Sequence, residues 1–428
     1  MKQAHIISVG NELLIGDTVN TNASEIGSFL TGLGFNVKRI STLPDIYDPL
    51  RNEISTSLQE ADLTIITGGL GPTHDDITKK VVFDIFGGSM VTNDQIKKHI
   101  EAIFEKRGFV MSAANLEQAM VPDSCDVLFN KKGTAPGMWF KKNSRYLAVL
   151  PGVPYEMQYL LEHGVHEKIQ EAFTGLDVWV TEYFKTAGIP ESTLSEQIGD
   201  LDSFVNNGVG VAYLPGPGGV TIRISASGKD EMQASEKLDD LKSLVNRRAG
   251  DYIYGMGKDT KLEEVVGKLL ASREKSIAIA ESCTGGLVAN RMTNIAGSSR
   301  YLNGGVVTYS NESKIKIINV SSDDIKYHGA VSAPVALQMA KNVAKLFNAD
   351  IGVSTTGIAG PGGGTDDKPV GLVYMGFWMN GSHFALKTIF TEDRIINKKR
   401  SVAVVLDTVR RKLLGVDGTP YNLKPTNP

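Results

Sequence analysis

Cysteine is almost missing from this chain. Cys125 and Cys283 are the two in 428 residues, and their wide separation excludes a disulfide framework and fits a reducing compartment. Long apolar runs are missing as well. No window approaches 18 uninterrupted apolar residues, which excludes a membrane-spanning helix on length. At the N-terminus, "MKQAHIISVGNELLIG" interrupts its apolar residues with Ser8, Gly10, Asn11 and Glu12 too early for a signal peptide. Charge of one sign is scarce too. A net charge of -3, from 45 basic and 48 acidic residues, leaves no electrostatic footprint for nucleic acid or an anionic membrane. The expectation is a cytoplasmic protein acting on small molecules, with no membrane and no nucleic-acid partner.

Glycine is plentiful. The 45 glycines, with 22% charged and 41% hydrophobic residues, fit a globular α/β protein rich in tight turns. The length suggests about three domains. In the first block, "HIISVG", "FNVKRISTL", "DLTIIT" and "YLAVL" read as strands. They alternate with helices over "NTNASEIGSFLTGLGF", with Asn22 as cap, and "DPLRNEISTSLQEA", with Asp48 as cap and Pro49 at the first helical position. That alternation predicts a mainly parallel, doubly wound sheet. A second block, from about Val178 to Asp251, reads as a small α+β module whose hairpin turns on Pro215 to Gly219. In the third, a helix capped by Asp259 precedes the strand "SIAIAE" and further α/β alternation to about Leu414; the polar, Pro-rich end is predicted to carry no element.

Chemistry concentrates in the third block. "IAIAESCTGGLVANRM" places Ser282, Cys283 and Thr284 between a strand and a helix start, with Gly285 and Gly286 allowing close backbone approach. Such a corner suits an oxyanion or a phosphate, so Ser282 is either a nucleophile or a helix cap. His328 and His383 belong to no Ser-His-Asp or Cys-His signature. The alternative base is Lys314 of "GGVVTYSNESKIKII", if burial keeps its amine neutral; otherwise it is a solvated helix lysine. "DIGVSTTGIAGPGGGTDDKPVG" adds Thr355, Thr356 and a glycine loop dense enough to wrap a phosphate-bearing ligand.

"AESCTGG", "VTYSNESK", "HGAVS", "GIAGPGGGTDDKPVG" and a late "DR" resemble, in order, the motifs of the CinA C-terminal family from about Leu262 to Leu414. Its enzymes are nicotinamide-nucleotide amidases, which convert nicotinamide mononucleotide (NMN) and water to nicotinate mononucleotide and ammonia. The resemblance implies Ser282 as nucleophile, Lys314 as its base and Tyr309 beside the dyad. Thr284, Gly285, Gly286, Thr356, Gly357, Gly360 and Arg394 would bind substrate, and backbone N–H groups near Thr284 to Gly286 would hold the oxyanion. The family has GDR where this chain has "EDR".

In the first block "TGGLGPTHDDITKK" sets Gly68, Gly69, Gly71 and Thr73 after a strand and Asp75 and Asp76 before a helix. Two adjacent carboxylates favour a divalent cation or simply complement the helix dipole. "VGNELLIGDTVNTN" brings Asn11, Glu12 and Asp17 to the end of the first strand, where open α/β sheets bind ligands. With "NKKGTAPGM" and "LPGVPYEM", these stretches resemble the CinA N-terminal domain, similar to the molybdopterin-binding fold. The resemblance implies Asp76, Glu156 and Glu12 at a metal (Mg²⁺, Mn²⁺ or Co²⁺) and Asn11, Lys132 and Gly133 with the glycines around a nucleotide. The activity would be ADP-ribose pyrophosphatase, or pterin or nucleotide binding without turnover. The middle block is similar to the family's KH-like module, and "GPGG" at 216 to 219 fits the RNA-binding GXXG string but lies in a predicted hairpin.

The expected fold is therefore α/β: a doubly wound molybdopterin-binding-like domain over 1–168, a KH-like α+β domain over 175–254, an amidase domain over 259–415 and a tail over 416–428. The expected protein is a homodimeric hydrolase of NMN and ADP-ribose with no cofactor at the amidase site. The competing reading is a competence or DNA-damage accessory factor.

Overall fold

The computed structural model describes residues 2–71, 76–110, 112–379 and 382–426. By compactness the chain divides into two units, Met1–Val180 with Ala226–Glu236, and Thr181–Ser225 with Lys237–Pro428.

The first unit carries strands Lys2–Val9 (β1), Phe35–Leu43 (β2) and Leu63–Thr67 (β3), a ribbon of Met90–Thr92 (β4) and Met120–Pro122 (β5), then Asp126–Leu128 (β6), Gly137–Lys142 (β7) and Arg145–Leu150 (β8). Apart from the ribbon, they form one sheet in the order β2-β1-β3-β8-β7-β6. The first four of that order run parallel and the last two antiparallel. Alternation decides how its faces are covered. Ile6, Ile65 and Ala148 join one core cluster with Ile26 and Leu30, while Ile7, Ile66 and Val149 join another with Leu50, Ile54 and Val81. A strand such as "LTIIT", buried at every position, fits this two-sided cover.

The helix Thr21–Gly32 is capped by Asn20, whose side chain accepts from Ala23 N, and not by Asn22. Asn22 sits within the first turn, and its amide donates to Thr67 Oγ1 at 3.0 Å and Gly152 O at 2.8 Å, tying the helix to the ends of two strands. The next helix spans Tyr47–Glu60 behind Ile46, so Asp48 and Pro49 occupy its first turn rather than the cap and first position. Proline is tolerated there because those N–H groups have no intrahelical partner.

The middle block holds Val178–Thr186 (β9), Gly210–Gly216 (β10), Gly219–Gly228 (β11) and Ile253–Met256 (β12), in the order β10-β11-β9-β12. Gly216 pairs with Gly219, leaving Pro217 and Gly218 as a two-residue hairpin tip. The helix Glu231–Ala249 buries Leu238, Leu241 and Val245, with Leu244 only partly covered.

The third block supplies Ile277–Glu281 (β13), Leu302–Val307 (β14), Ile351–Gly357 (β15), Leu372–Met379 (β16), Ser382–Ile389 (β17) and Pro425–Thr426 (β18), ordered β14-β13-β15-β16-β17-β18. The first three are parallel and the others antiparallel. Ala278 and Ala280 pack under Val335, Met339 and Val343 on one face, and Ile277 and Ile279 under Val266 and Val402 on the other. The helix Leu262–Ser272 is preceded by Lys261, not by Asp259. The end of the chain is ordered against expectation: Pro420–Asn422 makes a turn and β18 pairs with β17, because two backbone pairings at an open sheet edge outweigh poor strand propensity. Among the described residues no helix is long and apolar enough to cross a membrane.

A buried charge cluster fixes the last helix, Arg394–Leu414. Asp407, 0% exposed, accepts from Arg410 Nε at 2.7 Å and Arg411 Nε at 2.8 Å, and Arg410 also donates to Asp251 O at 2.8 Å. Replacing Asp407 by Ala leaves two buried guanidinium groups without their anion, at a cost of about 3–5 kcal/mol. Urea denaturation of Asp407→Ala is expected to show a midpoint lowered accordingly; an unchanged midpoint would mean the pair contributes nothing.

Candidate active site

Three parallel strands end at the same edge. Register puts Glu281 opposite Val307 on one side and Thr355 on the other, so Ser282, Thr308–Tyr309 and Thr356–Gly357 emerge side by side, as at other strand-end sites. Ser282 N donates to Thr355 O at 2.9 Å, which pins the turn to the neighbouring strand. Lys314 arrives from the helix Asn311–Ile318, whose cap Ser310 accepts from Ser313 N.

The lysine is 1% exposed. Its Nζ lies 3.0 Å from Ser282 Oγ, 2.9 Å from Thr308 O and 3.3 Å from Tyr309 O. Among the described residues no carboxylate pairs with it, and burial pushes its amine below the ordinary lysine range. A neutral amine has two hydrogens and one lone pair. With both hydrogens on the Thr308 and Tyr309 carbonyls, the lone pair faces the Ser282 hydroxyl, which is the arrangement a general base needs.

Glu281, invisible to the sequence reading, organises the turn. It is 1% exposed, and its carboxylate accepts from the N–H groups of Gly286 at 3.0 Å, Val288 at 3.1 Å and Ala289 at 2.8 Å. The start of the helix Leu287–Thr293 is thus satisfied from within, and Ser282 does not cap it. This changes the expected oxyanion donors. Gly286 serves Glu281 and Gly285 N donates to Ser282 O at 3.1 Å. No carbonyl or carboxylate among the described residues takes the N–H of Cys283 or Thr284, which leaves these two as the turn's donors.

A cavity of ≈ 200 Å³ opens on the dyad, lined by Ser282, Tyr309, Lys314, Thr356, Gly357 and Arg394 of the expected residues. Asn311, Ala330, Val331 and Ala359 also line it; the "HGAVS" string was the available signal for Ala330 and Val331. Tyr309 is 60% exposed, and its hydroxyl accepts from Arg394 Nη2 at 2.8 Å, while Arg394 Nη1 donates to Gly360 O at 2.9 Å. Asp393 caps the helix that Arg394 begins. Thr356 spends its hydroxyl hydrogen on Ala330 O.

Thr284, Gly285, Gly286 and Gly360 do not line the cavity. Thr284 is buried, with its Oγ1 2.6 Å from that of Thr355. The glycine run from Gly362 to Gly364 is exposed. Cys283 lines the cavity, but burial pushes its thiol up to about 12, which removes it as a thiolate nucleophile.

The first unit has a cavity of ≈ 450 Å³ lined by Gly69, Gly71, Asp76, Lys79, Lys80 and Glu117, among others. Burial lowers the Lys79 amine to about 8, and its Nζ donates to Glu117 O and Met120 O. Gly68 lies outside the cavity, so close to β1 that a Cβ would stand 2.1 Å from Val9 O. Lys132, Gly133 and Glu156 form a separate cluster. Asn130 accepts from Lys132 N at 2.9 Å and Gly133 N at 3.1 Å, and its amide donates to Glu156 Oε2 at 2.6 Å. Burial raises the Glu156 carboxyl. Asn11 and Glu12 stand exposed on the short helix Asn11–Leu14, and Asp17 is exposed in the loop that follows. Thr73 and Asp75 lie outside the described residues. Among the described residues no three His, Cys, Asp or Glu side chains converge, and Asp76 shares its cavity with neither Glu156 nor Glu12. His74 and Asp75, next to Asp76, lie outside the described residues, and the described carboxylates by themselves do not assemble a divalent-cation site.

Family profiles match along the chain: the probable molybdopterin binding domain over residues 5–171, the damage-inducible protein CinA KH domain over 181–255 and the CinA C-terminal domain over 259–413. A CinA-like protein of Chloroherpeton thalassium is 44% identical over 424 residues, covering 96% of this chain and 99% of its own length. A putative competence-damage inducible protein of Thermoanaerobacter pseudethanolicus is 41% identical over 414 residues, covering 97% and 99%. The crystal structure of a CinA protein with unknown function from Thermoplasma acidophilum is 36% identical, covers 40% of this chain and 98% of its own, and has a TM-score of 0.36.

In Glu281→Gln one carboxylate oxygen becomes an amide that opposes N–H donors. The expected loss is about 1.5–3 kcal/mol of stability, the value of hydrogen bonds to a buried charge. Thermal and urea unfolding measure it, and an unperturbed variant would show that the turn holds itself.

Proposed function

The chain belongs to the CinA family, and from that premise we propose that its C-terminal domain is a serine amidohydrolase that deamidates NMN to nicotinate mononucleotide. The observation that carries the reading is the buried Lys314 amine 3.0 Å from Ser282 Oγ with two carbonyls taking its hydrogens. Burial without a carboxylate penalises the charged amine, whereas the neutral amine is satisfied by the two carbonyls and the Ser282 hydroxyl, and such perturbed groups cluster at functional sites.

Lys314 takes the hydroxyl proton as Ser282 Oγ attacks the carboxamide carbon. The Cys283 and Thr284 N–H groups stabilise the oxyanion. Lys314, now protonated, donates to the departing nitrogen, ammonia leaves, and a water deprotonated by the same amine cleaves the acyl-enzyme. Arg394, with Tyr309 at the cavity, supplies the cation for the substrate's phosphate.

For the N-terminal domain we propose binding of a phosphate-bearing ligand at the Gly69–Gly71 loop, supported by the Lys79 and Lys80 amines lining the same cavity. Turnover of ADP-ribose there rests on the family resemblance alone.

With NMN as substrate and ammonia as readout, Ser282→Ala and Lys314→Arg are each expected to lose at least about 10³-fold in kcat/KM, since neither leaves an activated nucleophile. Cys283→Ala is expected to stay within about tenfold. A folded, dead Cys283→Ala or an active Lys314→Arg contradicts the assignment.

A further inference from the structure

The "GPGG" hairpin tip takes no part in the dyad chemistry, yet it borders a second cavity within the second unit. This cavity, of ≈ 440 Å³, shares no lining residue with the catalytic one. Pro215, Gly216 and Gly219 of the hairpin form one wall. Thr388 at the end of β17, Phe390 just beyond it, Arg400 of the last helix, Tyr421 of the C-terminal turn and Glu191 complete the chemically distinctive lining.

Three features distinguish this space from a packing gap. Arg400 is partly buried and makes no hydrogen bond or ion pair among the described residues, unlike Arg410 and Arg411 on the same helix, which share Asp407. The one carboxylate in the lining, the exposed Glu191, makes no ion pair with Arg400, so the guanidinium is open to an anion that comes from outside. Tyr421 is held in a costly backbone conformation: both Tyr421 and Asn422 have φ of 53°, a region that non-glycine residues avoid. Its N–H bonds Gly188 O at 2.6 Å, so the turn is held in place by its backbone, while among the described residues the hydroxyl makes no hydrogen bond. Gly219 has a φ of 146°, and a Cβ there would stand 1.9 Å from Thr186 O, so the wall depends on glycine to close this tightly.

We propose that this cavity binds a nucleoside monophosphate, with the Arg400 guanidinium and the Thr388 hydroxyl on the phosphate and the Phe390 and Tyr421 rings against the base. The volume suits a ligand of that size. One guanidinium pairs bidentately with one terminal phosphate, and Arg400 is the single cationic side chain of this lining, one too few for a polyphosphate or an RNA strand. The site borders the catalytic machinery. Asn397, three residues before Arg400, accepts from Thr391 N and donates to Ala359 O, and Ala359 lines the amidase cavity.

The test is titration of AMP into the full chain carrying Ser282→Ala, so that binding is read without turnover. Arg400→Gln and Arg400→Ala in that background are each expected to remove one AMP-binding event or weaken it at least tenfold, with unfolding midpoints confirming that both fold. Adenosine and ribose 5-phosphate should each bind this site at least tenfold more weakly than AMP. In the otherwise unaltered chain Arg400→Gln should release ammonia from NMN within twofold of the parent rate, a readout that separates failure of this site from failure of the amidase reading. AMP binding indifferent to Arg400, ribose 5-phosphate binding as tightly as AMP, or an Arg400-dependent preference for a single-stranded oligoribonucleotide would each overturn the proposal.

Discussion

An amine buried without a counter-ion is the constraint on which the C-terminal site depends. In water a lysine is charged and easily accommodated; enclosed beneath three strand ends, its charge is opposed by desolvation, and among the described residues its partners are two carbonyls and a hydroxyl, with no carboxylate. The fold resolves this by giving the neutral amine what it can use, two acceptors and one hydroxyl. The parallel register of β13, β14 and β15 is what brings those groups to one point, since Thr308 and Ser282 follow paired strand residues. A one-residue slip would turn the alternating side chains away from it.

The same economy of donors governs the turn around the serine. Helix starts leave N–H groups unsatisfied, and many proteins expose them to a ligand. Here the Glu281 carboxylate occupies three of them from behind. That leaves the N–H groups of the tight turn between Ser282 and Gly285 as the donors at this corner, with the guanidinium of Arg394, seated at the start of a helix that Asp393 caps, lining the same cavity. That long helix presents Arg394 to the Ser282 cavity, Arg400 to the hairpin cavity and Asp407, Arg410 and Arg411 to a buried charge cluster, so one element carries three polar groups.

Much of the architecture was legible because periodicity is a local signal. Runs such as "LTIIT" and "SIAIAE" read as strands from their length and β-branched content, and the alternation of strands and helices around the first predicted a doubly wound sheet. Ser282 and Lys314 could be singled out as a pair through the resemblance of "AESCTGG" and "YSNESK" to the family's motifs; their residue types and spacing alone left each with a structural alternative. Partner choices made through space were not legible. Nothing in the sequence separates Asn20 from Asn22 as a cap, or marks Glu281 as turning back to a helix start five residues on. The carboxylates Glu12, Asp76 and Glu156 look equivalent as polar loop residues, yet they stand in three different surroundings, because loop convergence depends on tertiary packing. The C-terminal segment misled for the same reason: its proline-rich composition argues against a strand, but an open edge at β17 supplies the pairing.

The central claim is that Lys314 is a neutral base, and direct titration of its amine tests it most sharply. Observed by NMR in protein with isotopically labelled lysine, and assigned by comparison with Lys314→Arg, the Lys314 resonance is predicted to titrate below the ordinary lysine value of 10.5 because burial disfavours its charge. The sign is fixed: the neutral, competent form prevails above that pKa and is lost as pH falls through it. A Lys314 amine that titrates at or above 10.5 would contradict the account.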